Sequence, residues 1–251
     1  MLLRARLLLL LLGTSVLAAP LSLRSAAQED SAPKFVRLAD GRISGICIEL
    51  LRAMEAIDPG LRISGLEQSL PLPRLERMLE QGQLDLACGL IHNPQRAEKF
   101  RLLRPALYTA SYGFAIRRGD SARPQSWAEL ARVDGPRTVL AVSGSGVISK
   151  LSSLPGVSID TSAISPRQNL VKLQYGRGRF FYYRLQGLQR EILEAGLGEQ
   201  IEVLPSVIDE YSFHLALSRS LPSPVVERLQ AALLKLHADK TLARLILTWQ
   251  P

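Results

Sequence analysis

Beyond its first 18 residues, this 251-residue chain has no run of about 20 apolar residues, which excludes a membrane-spanning helix from that part of it. Cysteine is scarce as well. Cys47 and Cys88 are too few for the bridged framework of a small secreted domain, and the scattered His92, His214 and His237 give them no metal-ligand spacing. No metal or other cofactor is expected. The two thiols can pair only if their Cα atoms come within bonding range, which sequence does not show, so a bridge and two free cysteines both stay open. The G-x-x-x-x-G-K-[ST] pattern of a phosphate loop is missing, and there is no internal repeat or low-complexity linker. Acidic residues are outnumbered 23 to 31, giving a net charge of +8. The basic residues are scattered rather than clustered. Arg177 to Tyr183 bears a faint likeness to an RNA-binding strand, but the rest of such a domain is absent and no nucleic acid partner is expected. The excess charge instead gives a mildly positive field that favours anionic small molecules.

The chain does have an export signal. Arg4 and Arg6 form a positive n-region, Leu7 to Leu12 an apolar h-region, and Val16-Leu17-Ala18 a small-residue cleavage site. Residues 1–18 are thus expected to be removed, the alternative being a retained membrane anchor, for which the apolar run is too short; removal leaves 29 basic against 23 acidic residues and a charge of +6. No cysteine stands at the cut to carry a lipid, so a free periplasmic protein of a double-membraned bacterium is expected. Hydrophobic residues make up 47% of the chain, enough for one large or two small cores.

Strand and helix signals then alternate, which points to α/β lobes with largely parallel sheets. A short strand near Leu21–Ser25 and an Asp40-Gly41 hairpin precede a helix from Gly45 to Ile57, ended by Asp58-Pro59-Gly60, and Leu61–Leu66 is the next strand. Leu75, Met78 and Leu79 share one face of a helix that Gly82 stops, and Leu84–Ile91 is a buried strand. Asn93-Pro94 caps a further helix and places Arg96 in its first turn, where a cation opposes the helix dipole. Either Arg96 is a surface residue bearing that small penalty, or its guanidinium and the helix N–H groups clamp an anion. Strands at Tyr112–Ile116, Thr138–Val142, Phe180–Tyr183, Ile201–Leu204 and Phe213–Leu217 follow, among helices capped at Ser126, Ser165 and Ser223. Gly144 and Ser145 lie between a strand and a helix, where N–H groups either face a ligand or belong to a flexible connection. A last helix runs from Leu242 to Trp249.

Leu79-x-x-Gly82-x-x-Asp85, then Asn93-Pro94-x-Arg96-x-x-x-Phe100 and Pro105-x-x-Tyr108, resembles the extracellular solute-binding proteins of the amino-acid type, which have the type II periplasmic-binding fold. The likeness extends over nearly the whole mature chain. It implies a two-lobed α/β fold, each lobe a mostly parallel sheet flanked by helices, with two crossing strands as hinge. The implied division is 19–108 and 208–251 for the first lobe and 109–207 for the second. It also implies a monomer that closes on a ligand between its lobes and presents the closed form to an inner-membrane ABC-type permease. By the same resemblance Arg96 grips a carboxylate, Gly144 and Ser145 donate hydrogen bonds to it, and Asn93, Cys88 and Gly89 border it. Serines are usual at the last two positions.

The departures point to a different ligand. Ala32-Pro33-Lys34-Phe35 stands where the family has aromatic-Pro-Pro-Phe, Leu72 replaces an aromatic, and Cys47 an aspartate. Where the family's G-R-x-D offers an aspartate to the ligand's α-ammonium, this chain reads Gly176-Arg177-Gly178-Arg179. A guanidinium cannot face an ammonium in a closed cleft without heavy repulsion and desolvation. An anion other than an α-amino acid is therefore expected, with Arg96 and Ser145 on one carboxylate, and Arg179 and Lys34 toward a second acidic group. A one-residue shift of the strand would instead turn Arg179 to solvent. The expected function is capture of a small carboxylate-bearing anion for import. One alternative is a dehydratase-like enzyme on the same scaffold, for which paired cleft carboxylates are missing because Glu49 and Asp85 have helix and strand-end roles. The other is a partner that reports ligand to a membrane sensor. A neighbouring permease gene favours transport, and substrate turnover favours the enzyme.

Overall fold

The computed structural model describes residues 20–249, so the expected export signal lies outside the described residues. The chain opens with β1 (Leu21–Arg24), β2 (Ala27–Gln28), β3 (Val36–Arg37) and β4 (Ile43–Ser44). Then come α1 (Ile46–Ile57), β5 (Leu61–Ser64), β6 (Ser69–Leu70), α2 (Leu72–Glu80), β7 (Leu86–Ile91), α3 (Pro94–Lys99) and β8 (Phe100–Leu102). A ten-residue strand, β9 (Tyr108–Arg117), leads to α4 (Trp127–Leu130), β10 (Thr138–Leu140), α5 (Ile148–Leu151) and β11 (Ser158–Asp160). These are followed by α6 (Pro166–Gln174), β12 (Phe180–Arg184), α7 (Leu188–Glu194) and β13 (Ile201–Val203). A second ten-residue strand, β14 (Asp209–Ser218), returns to α8 (Ser223–Ala238) and α9 (Thr241–Trp249).

Local chemistry accounts for most element ends. Asn93 caps α3 by accepting from the Arg96 amide at 2.8 Å, with Pro94 in the first turn. Ser126 and Ser165 cap α4 and α6 in the same way, at 3.1 and 3.2 Å. Ser223 does not cap α8. Pro222, in an extended conformation, takes that position, and Ser223 becomes the first helical residue. Ile46, Leu50, Leu51 and Met54 form the buried face of α1, and β7 is buried at every position, as a continuous apolar run requires.

The two long strands organise the molecule. β9 and β14 lie antiparallel from Phe213 opposite Tyr108 to Asp209 opposite Tyr112. Beyond that shared segment they part, β9 pairing with β12 and β13, and β14 with β7 and β8. The result is a two-lobed α/β architecture joined by two crossing strands. The wings are parallel, β1 with β5 and β10 with β11 and β12. Pairings of the crossing strands are antiparallel, because the chain passes between the lobes once in each direction. The first lobe packs Leu50 and Met54 of α1 with Leu229 and Leu233 of α8 and Leu242 of α9, while the second packs Leu170, Leu173, Phe181 and Ile192. Asp209, at the start of β14, accepts from Trp127 Nε1 at 2.8 Å and from the Tyr182 hydroxyl at 2.5 Å, and pairs with Lys150. Those contacts fasten the second crossing strand to the second lobe. Among the described residues no helix is long and apolar enough to cross a membrane.

Cys47 and Cys88 are joined in a disulfide, with Cα atoms 5.8 Å apart, which ties α1 to β7. The bridge closes a loop across a sequence separation of 41. Replacing both cysteines with alanine is expected to lower the unfolding free energy by about 3–4 kcal/mol, the chain-entropy value for a loop of that length. The denaturant midpoint measures it; a double variant as stable as the parent would show that the bridge contributes nothing to the native state.

Candidate ligand-binding site

The lobes close on a cavity of about 70 Å³. Its walls come from the carboxyl ends of β7 (Gly89, Leu90, Ile91) and β12 (Tyr183, Arg184), the turn after β10 (Val142, Ser145, Gly146), the crossing strands (Tyr108, Tyr112, Phe213) and the loop before β3 (Gln28 to Lys34). Backbone amides and strand ends converge at such a position in α/β proteins.

Three buried cations face this space, Lys34, Arg96 and Arg184. Arg96 rises from the first turn of α3. Its Nη1 donates to the Ile91 carbonyl at 3.1 Å, and its Nη2 donates to the Gly144 carbonyl at 3.2 Å and pairs with Glu76 of α2. Arg184, at the end of β12, pairs with Glu191 of α7 and reaches across to the Ala32 carbonyl of the first lobe. Lys34 has no carboxylate partner among the described residues. Its Nζ donates to Gln28 Oε1 and to the Gly89 carbonyl at 3.1 Å, and lies 5.7 Å from the centre of the Phe213 ring. Two glycines make the packing possible. A Cβ at Gly89, whose φ is +78°, would stand 2.7 Å from Lys34 Cδ, and one at Gly146 would stand 2.4 Å from Arg96 Nη1.

Burial, reinforced by Arg96 and Arg184 and opposed by Glu76, lowers the Lys34 ammonium to about 7. Glu191 moves up to about 7, because burial outweighs the pull of Arg184 beside it. Burial also raises Tyr183 to about 12 and pushes Tyr108 and Tyr112 up, so these rings are neutral hydrogen-bonding walls at physiological pH. The wall also carries polar groups that make no hydrogen bond among the described residues. The Ser145 amide donates to the Val142 carbonyl at 3.0 Å, but its hydroxyl is unpartnered. The buried Gln186 Oε1 has no partner either. A wider groove of about 560 Å³ shares Gln28 to Ser31 with the cavity and carries both signs of charge, Glu29, Asp30, Glu191 and Glu194 with Arg37 and Arg167.

Of the residues singled out by sequence, Lys34, Gly89, Arg96 and Ser145 meet at the cavity. Gly144 and Asn93 sit behind its wall. The Gly144 carbonyl accepts from Arg96, and Asn93 Nδ2 donates to the Gly146 carbonyl at 2.8 Å, so both serve to join the lobes. Cys88 requires correction: its sulfur is bonded to Cys47, and the residue does not line the cavity. Arg179 requires it too. It stands at the amino end of β12, where its guanidinium grips both oxygens of Asp120 at 2.9 and 2.8 Å and reaches the Asp134 carbonyl. Because the lobes meet at strand carboxyl ends, the cleft cation of this strand is Arg184, which sequence reasoning missed along with Glu76, Gln28 and Gln186. The available signal was an arginine closing an aromatic strand.

Comparison with curated proteins gives no match. Among solved structures, an amino acid ABC transporter substrate-binding protein from Streptococcus pneumoniae, bound to L-arginine, is 19% identical over 90% of this chain and 92% of that one, with a TM-score of 0.73. A histidine kinase sensor domain with similarity to periplasmic binding proteins is 16% identical, with coverage of 92% and 99% and a TM-score of 0.77. The ancestral amino acid-binding protein AncCDT-1, a precursor of cyclohexadienyl dehydratase, is 17% identical, with coverage of 92% and 96% and a TM-score of 0.73. These likenesses establish the two-lobed fold. The model of one family matches residues 23–251, and the chain therefore belongs to the bacterial extracellular solute-binding proteins, family 3.

Proposed function

We propose that this protein captures a small carboxylate-bearing anion between its lobes and hands it, as a periplasmic monomer freed of residues 1–18, to an inner-membrane ABC-type permease. One observation carries the reading: Lys34, Arg96 and Arg184 converge on one closed cavity, and Lys34 lacks a carboxylate partner among the described residues. A ligand anion supplies that partner through a charge-assisted bond, about twice as strong as a neutral one. A zwitterionic α-amino acid brings an ammonium against the same cations; Glu76 and Glu191 are each held by an arginine, and Glu29 and Asp30, which make no ion pair among the described residues, stand where the cavity meets the outer groove. The cavity has room for about five or six water-sized atoms, so the ligand is small. Family membership and the transporter protein of the same fold support delivery to a permease.

Titration calorimetry of the protein lacking residues 1–18, against small mono- and dicarboxylates and against amino acids, tests the reading. The best anion is expected to bind at least tenfold more tightly than any α-amino acid. At 100 times its Kd it should add about 2.7 kcal/mol to the unfolding free energy. Arg96→Ala and Arg184→Met should each weaken it at least tenfold, since a hydrogen bond to a charged group is worth about 1.5–3 kcal/mol. Arg179→Ala should leave Kd unchanged and lower stability instead, because it strips Asp120 of its partner. An amino acid that matches the best anion, or an Arg184→Met protein that binds normally, would overturn the reading.

Binding should also take up protons. Without ligand the Lys34 ammonium sits near 7, and an anion beside it raises that value. Glu191, also near 7, moves in the same direction when a negative charge approaches. Affinity is therefore full below pH 7 and falls by up to about tenfold per pH unit above it, until the pH reaches the raised liganded value. Calorimetry in buffers of differing ionisation enthalpy measures the uptake, and Lys34→Met should lose most of it.

A further inference from the structure

Lys34 is set apart from Lys99, Lys150 and Lys172, which pair with the carboxylates of Glu80, Asp209 and Asp160. It is buried, and both of its hydrogen bonds end on neutral oxygens, Gln28 Oε1 and the Gly89 carbonyl. An ammonium has three N–H donors to place. Two acceptors are the full complement of an uncharged amine, whose lone pair then stays free. Lys34 lines a cavity together with Arg96 and Arg184. Burial and neighbouring cations are the conditions that leave a lysine unprotonated and nucleophilic near neutrality, and here they bring it to about 7.

Building on the anion-capture reading, we propose that Lys34 holds its ligand covalently and reversibly, as an imine with the carbonyl carbon of a small 2-oxo acid whose carboxylate rests on the guanidiniums of Arg96 and Arg184. The Nζ lone pair forms the new C–N bond, and the carbonyl π pair moves to oxygen, which takes a proton from the former amine to give a carbinolamine. A second proton leaves nitrogen, the C–O bond breaks, and the oxygen departs as water, leaving C=N. No oxidant or reductant is consumed, and addition of water reverses the capture. Once protonated, the imine nitrogen keeps a positive charge beside the ligand's carboxylate. The cavity's size suits a ligand of about six heavy atoms, such as pyruvate.

The test treats the protein lacking residues 1–18 with glyoxylate, pyruvate or 2-oxoglutarate plus cyanoborohydride, which reduces imines to stable amines, and maps adducts by tryptic mass spectrometry. One lysine adduct per chain is expected, on Lys34, and the N-terminal amine, whose pKa is about 7.7–8.0, is scored separately on its own peptide. Measured at saturating 2-oxo acid, the yield of the Lys34 adduct should rise as the pH climbs through the liganded value of Lys34, which the bound carboxylate sets above 7, whereas surface lysines, with pKa values of about 10.4, should react appreciably only at higher pH. The corresponding 2-hydroxy acid, of the same charge but without the carbonyl, should suppress it. Lys34→Arg, which keeps a cation, should abolish it. If calorimetry shows the 2-oxo and 2-hydroxy acids both binding while Lys34 stays unmodified, the imine is wrong and anion capture stands. If neither class binds, both readings fall. Labelling of Lys34 no faster than of Lys99 or Lys150 would equally overturn the imine.

Discussion

The cleft depends on one constraint, the cost of keeping three cations in one small space away from bulk water. Like charges in a low-dielectric site repel strongly and each loses hydration. The fold meets this by giving Arg96 the carboxylate of Glu76 and Arg184 that of Glu191, each partner coming from the arginine's own lobe. Lys34 receives only neutral oxygens, and the residual cost appears as its lowered ammonium. The same guanidiniums also fasten the lobes, Arg96 onto the Gly144 carbonyl and Arg184 onto that of Ala32. Lobe closure and the cavity's charge are therefore one set of contacts. A change in either arginine alters both.

The scaffold holds these contacts from two directions. β9 and β14 set the approach of the lobes, and Asp209 fixes the second strand by accepting from Trp127 and Tyr182. On the first lobe, the Cys47–Cys88 bridge ties α1 to β7 immediately before Gly89, whose carbonyl holds Lys34. The floor under the lysine is thus pinned covalently, while the opposite wall is carried by a strand end.

Family likeness and local chemistry part company at the ligand. Arg96 lines the cavity from the first turn of α3, and the Gly144-Ser145 turn follows β10. Lys34, without a carboxylate partner among the described residues, and Arg184, paired with Glu191, belong to this chain's own packing.

Sequence by itself determined the alternation of strands and helices, the caps at Asn93, Ser126 and Ser165, the burial of β7, and the presence of Arg96, Gly89, Ser145 and Lys34 in one site. Each of these is written in neighbouring residues or in a motif of fixed spacing. The pairing of Cys47 with Cys88 was not legible, because it depends on α1 packing against β7 across an intervening loop. Nor was the choice between Arg179 and Arg184, which flank the same aromatic strand and look alike in sequence. Only the parallel pairing of β12 with β10 decides which end of that strand faces the other lobe. Arg184 is at that end, and Arg179 is left to Asp120. The partners Glu76 and Glu191 were hidden for the same reason. Helix and strand periodicities report which face of an element is buried, whereas the charge that meets another charge is set by elements distant in sequence and brought together only by the closed fold.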